Sequence, residues 1–377
     1  MAAISSISSI SSISSISSIS SISSIGGTSL AAASGGVLAG PVLAQALATS
    51  RSGLLADGAM AAKPEPRGAW PRGGTASRLM RWSPEVRVNL CLSELLEAVR
   101  FECTDTNKTR VAKVSYGQSI LVSLRQPTRD VVLQQAKLVG AWAQPHRVDR
   151  AAEILCQVLP PTAFYEPITG LHPDRHPRTL EFLEVCLRFA YAMVMRCKDA
   201  LDVPRPVELD SSLQPMLLTP GHAAFPSGHA TEAFMAAGVL SDVCKAPIPV
   251  QRRLRLLAHR IAENRVVAGL HYPIDSLAGL ALGETLAKLA LALAQGGGVV
   301  QGVAVSCTNG DVDSTSRIPN ARGSFQPGNQ VGAADRGHGS DTALDQTGCK
   351  LNGQSARVSK SMPSLQVLYK AARREWA

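Results

Sequence analysis

Apolar residues recur at helical spacing through the middle of the chain. Leu183, Leu187, Ala190 and Val194 form one stripe, which predicts a helix from Pro177 to about Leu201. Pro177 suits its first turn, where a missing N–H costs nothing. The same reading predicts helices from Ser227 toward Val243, from Val250 to about Val267 with an end near Gly269, and from Pro273 to Leu293. Upstream, helical periodicity runs through Val88–Val99, Val131–Trp142 and Ala151–Leu159. Strand patterns are sparse, and Val111–Val122 is the best of them. The predicted fold class is all-α.

The two ends break this pattern. Residues 4–25 repeat Ile-Ser-Ser, and two Ser for every Ile cannot keep an apolar face on one side of a helix. Ala, Gly and Ser dominate from Gly26 to about Gly74, and the first charged residue is Arg51. Residues 1–80 therefore read as a low-complexity, disordered region. Its Ser-rich, acid-poor character also resembles a targeting segment, with Val37–Ala48 as the apolar part, but a basic start is lacking. Residues 81–295 read as the helical catalytic domain, with its motif core at 177–293. That length is enough to bury a sizeable interior. Residues 296–377 turn to Gly, Ser, Asn and Asp and read as a disordered tail, within which Leu365–Trp376 has the pattern of a short amphipathic helix. The most apolar stretch, Leu277–Leu293, carries Glu284 and Lys288, so the sequence predicts a soluble chain with no spanning segment.

The formal net charge of +9 directs attention to anionic partners. Arg252, Arg253 and Arg255 form the densest basic cluster, without the interleaved aromatics that stack bases, so nucleic acid is set aside. The eight cysteines have no zinc or redox spacing and read as buried thiols.

Three clusters carry candidate chemistry. In the first, Lys198 lies four residues after Val194 on the same stripe, and Arg205-Pro206 follows. A lysine aimed at a core is costly unless an anion meets it, although its stem could also snorkel to solvent. In the second, Pro226-Ser227-Gly228-His229 opens a helix. Ser227 can cap it, Gly228 admits a ligand to the backbone, and free amides at a helix start bind anions. His229 is placed there for acid–base work. The third cluster joins Arg265, His271 and Asp275. Arg265 follows Leu254, Leu257 and Ile261 on an apolar stripe, and His271 sits in the break between Gly269 and Pro273. Asp275 can accept from one imidazole nitrogen and free the other. Three cations, two histidines and a helix N-terminus together fit one tetrahedral or trigonal-bipyramidal oxyanion.

Taken together, Lys198-x6-Arg205-Pro206, Pro226-Ser227-Gly228-His229 and Arg265-x5-His271-x3-Asp275 resemble the superfamily of type-2 phosphatidic acid phosphatases, bacterial acid phosphatases and vanadium-dependent haloperoxidases. The resemblance covers about Pro177 to Leu293 and implies a helical bundle of that type. It implies that Lys198, Arg205 and Arg265 bind the oxyanion's equatorial oxygens, with Ser227 and the Gly228 amide adding hydrogen bonds. His229 would be the acid–base histidine and Asp275 would orient His271. His271 would be the phosphoryl-accepting nucleophile of a phosphatase or the vanadium ligand of a haloperoxidase.

Two features favour haloperoxidase: the form Ser227-Gly228-His229-Ala230-Thr231, and His222 at a position that tunes halide chemistry in that branch. Two features oppose it: the short stretch between His229 and Arg265, and Asn264, which stands where the phosphatases often have Ser. The expectation taken forward is a haloperoxidase that oxidises halide with peroxide at His-bound vanadate. A soluble, cofactor-free acid phosphatase acting on phosphate monoesters is the alternative. A third reading is a non-catalytic scaffold whose cations pair with Glu232, Glu263 and Asp275. The partner is a small molecule in either enzyme, and a homo-oligomer is left open.

Overall fold

A computed structural model describes residues 73–106, 109–158, 162–306 and 355–377, with residues 45, 48–50 and 52. Helices α1 (Thr75–Met80) and α2 (Pro84–Ala98) lead into an antiparallel meander of β1 (Val99–Thr106), β2 (Thr109–Tyr116) and β3 (Ser119–Arg125). Val99 pairs with Tyr116 in the first ladder, and Val114 with Val122 in the second. Gly117, at φ 57°, makes the tight turn between β2 and β3. The one predicted strand is thus a hairpin folded about that glycine.

Seven helices follow: α3 (Arg129–Cys156), α4 (Thr162–Thr169), α5 (Pro177–Leu201), the single turn α6 (Pro206–Leu209), α7 (Gly228–Val243), α8 (Ile248–Val267) and α9 (Pro273–Gln295). The fold is all-α, with small sheets attached. Two predicted segments, Val131–Trp142 and Ala151–Leu159, belong to the single helix α3, which carries Pro145 inside it. After α9, β4 (Gly298–Gln301) and β5 (Val303–Val305) are followed by β6 (Ser355–Val358) and α10 (Pro363–Arg374). β5 joins β3 in parallel, with Val122 opposite Val303, and β4 pairs antiparallel with β6.

Helix α7 lies at the centre, packed against α9, α8 and α5. α5 is covered on its far side by α10 and α2, and α8 by α3. The helices have residue-level stops. Asp202 takes the left-handed conformation at the end of α5, and Gly296 does so at the end of α9. Gly269, at φ 79°, ends α8 as its amide bonds the Val266 carbonyl at 2.9 Å.

The α7–α9 contact depends on missing side chains. A Cβ on Gly283 would lie 2.3 Å from the Thr231 carbonyl oxygen, and one on Gly279 would lie 2.7 Å from the Ser227 carbonyl oxygen. The two backbones therefore approach closely enough for the Ser227 amide to bond the Asp275 carbonyl at 2.9 Å. This ties the start of α7 to the start of α9.

Several expectations change. The C-terminal stretch is ordered where it is described. Leu365, Leu368 and Ala372 of α10 are fully buried. The Glu94 carboxylate accepts from the first amides of α10 (Ser364, 3.0 Å; Leu365, 2.9 Å). The Glu375 carboxylate caps α5 in the same way through Arg178 (2.7 Å) and Thr179 (2.8 Å). These contacts join residues 196 to 271 positions apart, so local composition did not reveal them. At the other end the continuously described residues start at Gly73, ahead of the expected boundary near Arg81, and the Ile-Ser-Ser repeat lies outside the described residues. Cys91, Cys186 and Cys197 are buried free thiols as expected, but Cys103 and Cys156 are exposed, and Cys307 and Cys349 lie outside the described residues.

The exclusion of a membrane-spanning segment is also corrected. The 23 residues of α9 reach a mean hydropathy of 1.6 over an 18-residue window, long and apolar enough to cross a bilayer. Glu284 and Lys288 are too few to offset the surrounding Leu and Ala. In this fold 83 % of that window is buried inside the protein.

Gly283→Ala should destabilise the protein by about 2 kcal/mol, since backbone rather than a pliable side chain blocks the added methyl. Gly221→Ala, with nothing within 4 Å of the new Cβ, serves as the control. Urea unfolding checks this, and equal midpoints for the two variants would contradict the close packing.

Candidate active site

The last turn of α5 presents Lys198 inward, at 2 % exposure. Its ammonium donates to the carbonyls of Ala223 (2.6 Å) and Ala224 (2.8 Å) in the loop before α7. Burial, then the neighbouring Arg205, drives its pKa well below the usual lysine value. The snorkelling alternative is thereby excluded.

Arg205, at the N-cap position of α6, is equally buried. Nε donates to the His222 carbonyl at 2.9 Å and Nη1 to the Leu270 carbonyl at 2.8 Å. Nη1 also lies 3.1 Å from Nε2 of His271, and Nη2 lies 3.0 Å from Nδ1 of His222. Since a guanidinium only donates, Nε2 of His271 acts as an acceptor, while Nδ1 of His222 lies between Arg205 and the Ala223 carbonyl, 3.2 Å away. His222 therefore sits beside the pocket as a partner of Arg205. Burial, with Lys198 and Arg205, lowers its pKa to about 4.

His271 occupies the break between α8 and α9. Its Nδ1 is 2.8 Å from Oδ2 of Asp275, which also accepts from the Tyr272 amide at 3.0 Å. Asp275 is fully buried, and burial pushes its carboxyl up to about 7 against the opposing pull of Lys198 and Arg205. Asp275 on one side and Arg205 on the other impose one tautomer on His271, with the proton on Nδ1 and a lone pair on Nε2. Burial, Arg205 and Lys198 hold this imidazole well below its ordinary pKa, so it stays neutral.

Ser227 caps α7, its hydroxyl accepting from the Ala230 amide at 3.4 Å. The amides of Gly228 and His229 belong to the first turn, where no intrahelical acceptor exists. Gly228 and His229 are half-buried while Ser227 is fully buried, so the pocket opens at this edge. Burial, then Arg265 and Arg205, with Lys198 behind them, lower His229 to about 3. All three cations therefore act on this one ring.

Arg265 is fully buried on α8. Only Nη2 is engaged, with the Ile154 carbonyl at 2.9 Å and Gln157 Oε1 at 3.4 Å. Its Nε and Nη1 have no partner among the described residues. Burial lowers its pKa to about 10, which leaves it charged near neutrality.

Among the described residues, no carboxylate lies within ion-pair distance of Lys198, or of the Arg205 or Arg265 guanidinium. Glu263 pairs with Arg150 at 3.1 Å and Asp275 with His271. Glu232 is pushed up to about 7 by burial despite Lys198. The pairing that a scaffold would require is absent among the described residues. The donor set suits phosphate and vanadate alike: orphaned N–H groups on Arg265, the Arg205 fork, Lys198, two helix amides and the Nε2 lone pair of His271.

Sequence reasoning did not identify the last turn of α3. Ile154 and Gln157 hold Arg265, and Asn264 bonds Gln157 Oε1 at 2.9 Å. A helix end with no charged group aimed at the pocket carries no legible signal. Asn264 touches no ligand-binding atom itself, but it reaches Arg265 through Gln157.

Residues 182–297 match the PAP2 superfamily. The chain is also 38 % identical over 71 residues to a decaprenylphosphoryl-5-phosphoribose phosphatase of Mycobacterium tuberculosis, covering 19 % of this chain and 37 % of that protein. A protein of the same name from Mycolicibacterium smegmatis is 39 % identical over 61 residues, covering 16 % of this chain and 31 % of that protein. The chain thus spans about a third of the length of the curated relatives it matches. PAP2 phosphatases are usually membrane proteins, which removes a further ground for the earlier membrane exclusion.

A site with unmet donors should gain stability from an oxyanion. Phosphate at a hundredfold its dissociation constant should add about 2.7 kcal/mol of stability. Arg265→Met should lose most of that gain. Thermal unfolding in phosphate against chloride of equal ionic strength measures it, and an unmoved wild-type midpoint would count against an anion pocket.

Proposed function

We propose that this chain, whose residues 182–297 form a PAP2 superfamily domain, is a phosphatase that hydrolyses phosphate monoesters through a phosphohistidine at His271. The observation that carries this reading is the His271 ring, held by Asp275 with its Nε2 lone pair toward Arg205, in a pocket whose cations have no carboxylate of their own. The phosphatase names of the relatives support this chemistry over the haloperoxidase expected from the sequence. What passes to this chain is the phosphoryl-transfer step, not the lipid-linked sugar in those names, because the matches are short.

In the proposed cycle the phosphoryl oxygens take hydrogen bonds from Lys198, Arg205, Arg265 and the amides at the start of α7. Arg205 then turns from His271 to the phosphate and frees the Nε2 lone pair. Nε2 attacks phosphorus, a P–N bond forms, and the P–O bond to the alcohol breaks. His229 gives its proton to the departing oxygen. Water, deprotonated by His229, next attacks phosphorus, and the P–N bond breaks to release phosphate. The doubly negative substrate offsets the field that lowers His229, so the ring holds its proton in the complex although it is neutral in the free protein.

Vanadate would be held by the same residues with His271 as its ligand, and would supply halide oxidation by peroxide. The proposed hydrolysis requires no cofactor.

His271→Ala should abolish turnover of an aryl phosphate, whereas His229→Ala should lower kcat about 10²–10⁴-fold and leave phosphate binding largely intact. The His229 loss should be larger for an alkyl than for a nitrophenyl ester, since the better leaving group needs less protonation. Parallel assays of phosphate-ester hydrolysis and of vanadate-, peroxide- and bromide-dependent dye bromination separate the two chemistries. Bromination without hydrolysis would overturn the proposal.

The pH profile follows from the same groups. His271 is neutral well below its ordinary range, so it imposes no acid limb near neutrality. His229, lowered to about 3, brings no proton of its own to the encounter at neutral pH. The proton must then arrive with the substrate, whose second ionisation lies near about pH 6. Thus kcat/KM should be flat between about pH 5 and 6 and fall about tenfold per unit above. A profile rising toward pH 8 would contradict this assignment.

A further inference from the structure

Gln157 ends α3 and lies outside all three clusters. It is 1 % exposed. Its Oε1 accepts from Asn264 Nδ2 at 2.9 Å and from Arg265 Nη2 at 3.4 Å. Two donors converge on that atom, so the amide has one orientation; the reverse would set N–H against N–H. Its Nε2 has no protein acceptor although it is buried. The Gln157 carbonyl, at the end of the helix, acts on the His229 ring and favours its charged form against the neighbouring cations. Behind it, Asn264 Nδ2 also bonds Glu153 at 2.9 Å, and Arg260 grips Glu153 at 2.7 and 2.9 Å.

We infer that Gln157 is a positioning residue of the oxyanion pocket, holding the Arg265 guanidinium with its side chain. The inference rests on the proposed phosphatase for its effect on turnover, but its effect on anion binding stands apart from that. An arginine has many rotamers, and fixing one in advance removes that ordering cost from ligand binding. The choice of a neutral amide matters. A glutamate in this place could accept the same two hydrogen bonds, but its charge would pair with Arg265 and spend the attraction intended for the ligand. Gln157 positions the cation without neutralising it. The groups acting on His229 are Arg265 from α8, Arg205, Lys198 from α5, His271, and this carbonyl from α3.

The test compares full-length wild type with the near-isosteric Gln157→Glu and Gln157→Met. Inorganic phosphate binding is measured by calorimetry, the His229 ring by NMR titration, and turnover with an aryl phosphate. Gln157→Glu should bind phosphate at least tenfold more weakly, and its His229 should titrate at least one pH unit higher, since a nearby anion favours the imidazolium. Gln157→Met should weaken phosphate binding several-fold with His229 unmoved, because the substitution adds no charge beside the ring and leaves the main chain in place. If either variant fails to fold, the other still decides. Lower melting temperatures with wild-type phosphate affinity and KM would mean a merely structural residue and overturn the inference while hydrolysis stands. Should wild type bind phosphate but hydrolyse nothing, the altered affinities would still support Gln157 while the phosphatase reading fails. A wild type that binds no phosphate overturns both.

Discussion

Three buried cations that have no carboxylate partner among the described residues are the constraint on which the rest of this structure turns. Burying a single unpaired charge is among the least favourable acts in folding. Lys198 and Arg205 meet it with main-chain carbonyls, and Arg265 only in part. Carbonyl dipoles solvate a cation without cancelling its charge. The field therefore survives in the pocket, where it adds to the effect of burial in lowering both His229 and His271. In the proposed reaction the cations that, with burial, keep His271 neutral would also draw in the anion, so binding and activation would share one electrostatic origin.

That arrangement needs carbonyls in unusual places, and the fold supplies them where regular structure stops. The loop before α7 gives Ala223 and Ala224 to Lys198, the break after α8 gives Leu270 to Arg205, and the last turn of α3 gives Ile154 to Arg265. Carbonyls inside a helix are already used, so only terminal ones remain free. Close packing of α7 on α9 then holds these ends in register. Gly279 and Gly283 let the backbones meet, and the bond from the Ser227 amide to the Asp275 carbonyl joins the start of α7 to the residue that holds His271.

The core helices were legible because their burial follows one helical period. Leu183, Leu187, Ala190 and Val194 predicted α5 between Pro177 and Leu201, the bounds observed. The inward turn of Lys198 and Arg265 was legible for the same reason, as each continues an apolar stripe. Long-range structure was not. α10 docks through Glu94 and Glu375, contacts that pair distant stretches of chain, so composition alone suggested a disordered tail. The branch of chemistry was not legible either. Phosphate and vanadate ask for the same donors, and His222 turned out to serve Arg205, a role that both chemistries can use.

Gln157 shows why part of such a site escapes motif reading. The groups that touch an oxyanion must be charged or bear N–H, which makes them conspicuous at helical spacing. A group that aims those charges has a different requirement: it must accept a hydrogen bond and contribute no net charge. Main-chain carbonyls and side-chain amides meet it, and neither stands out in a sequence. The supports of Arg265 are of this neutral kind, two from the end of α3 and one, Asn264, from α8 behind them. The acids Glu153 and Glu263 are engaged by Arg260 and Arg150, away from the pocket cations. Glu153 and Glu263 thus brace the frame away from the cations, Asp275 is engaged by His271, and neutral acceptors hold Arg265, a division that leaves the pocket positive.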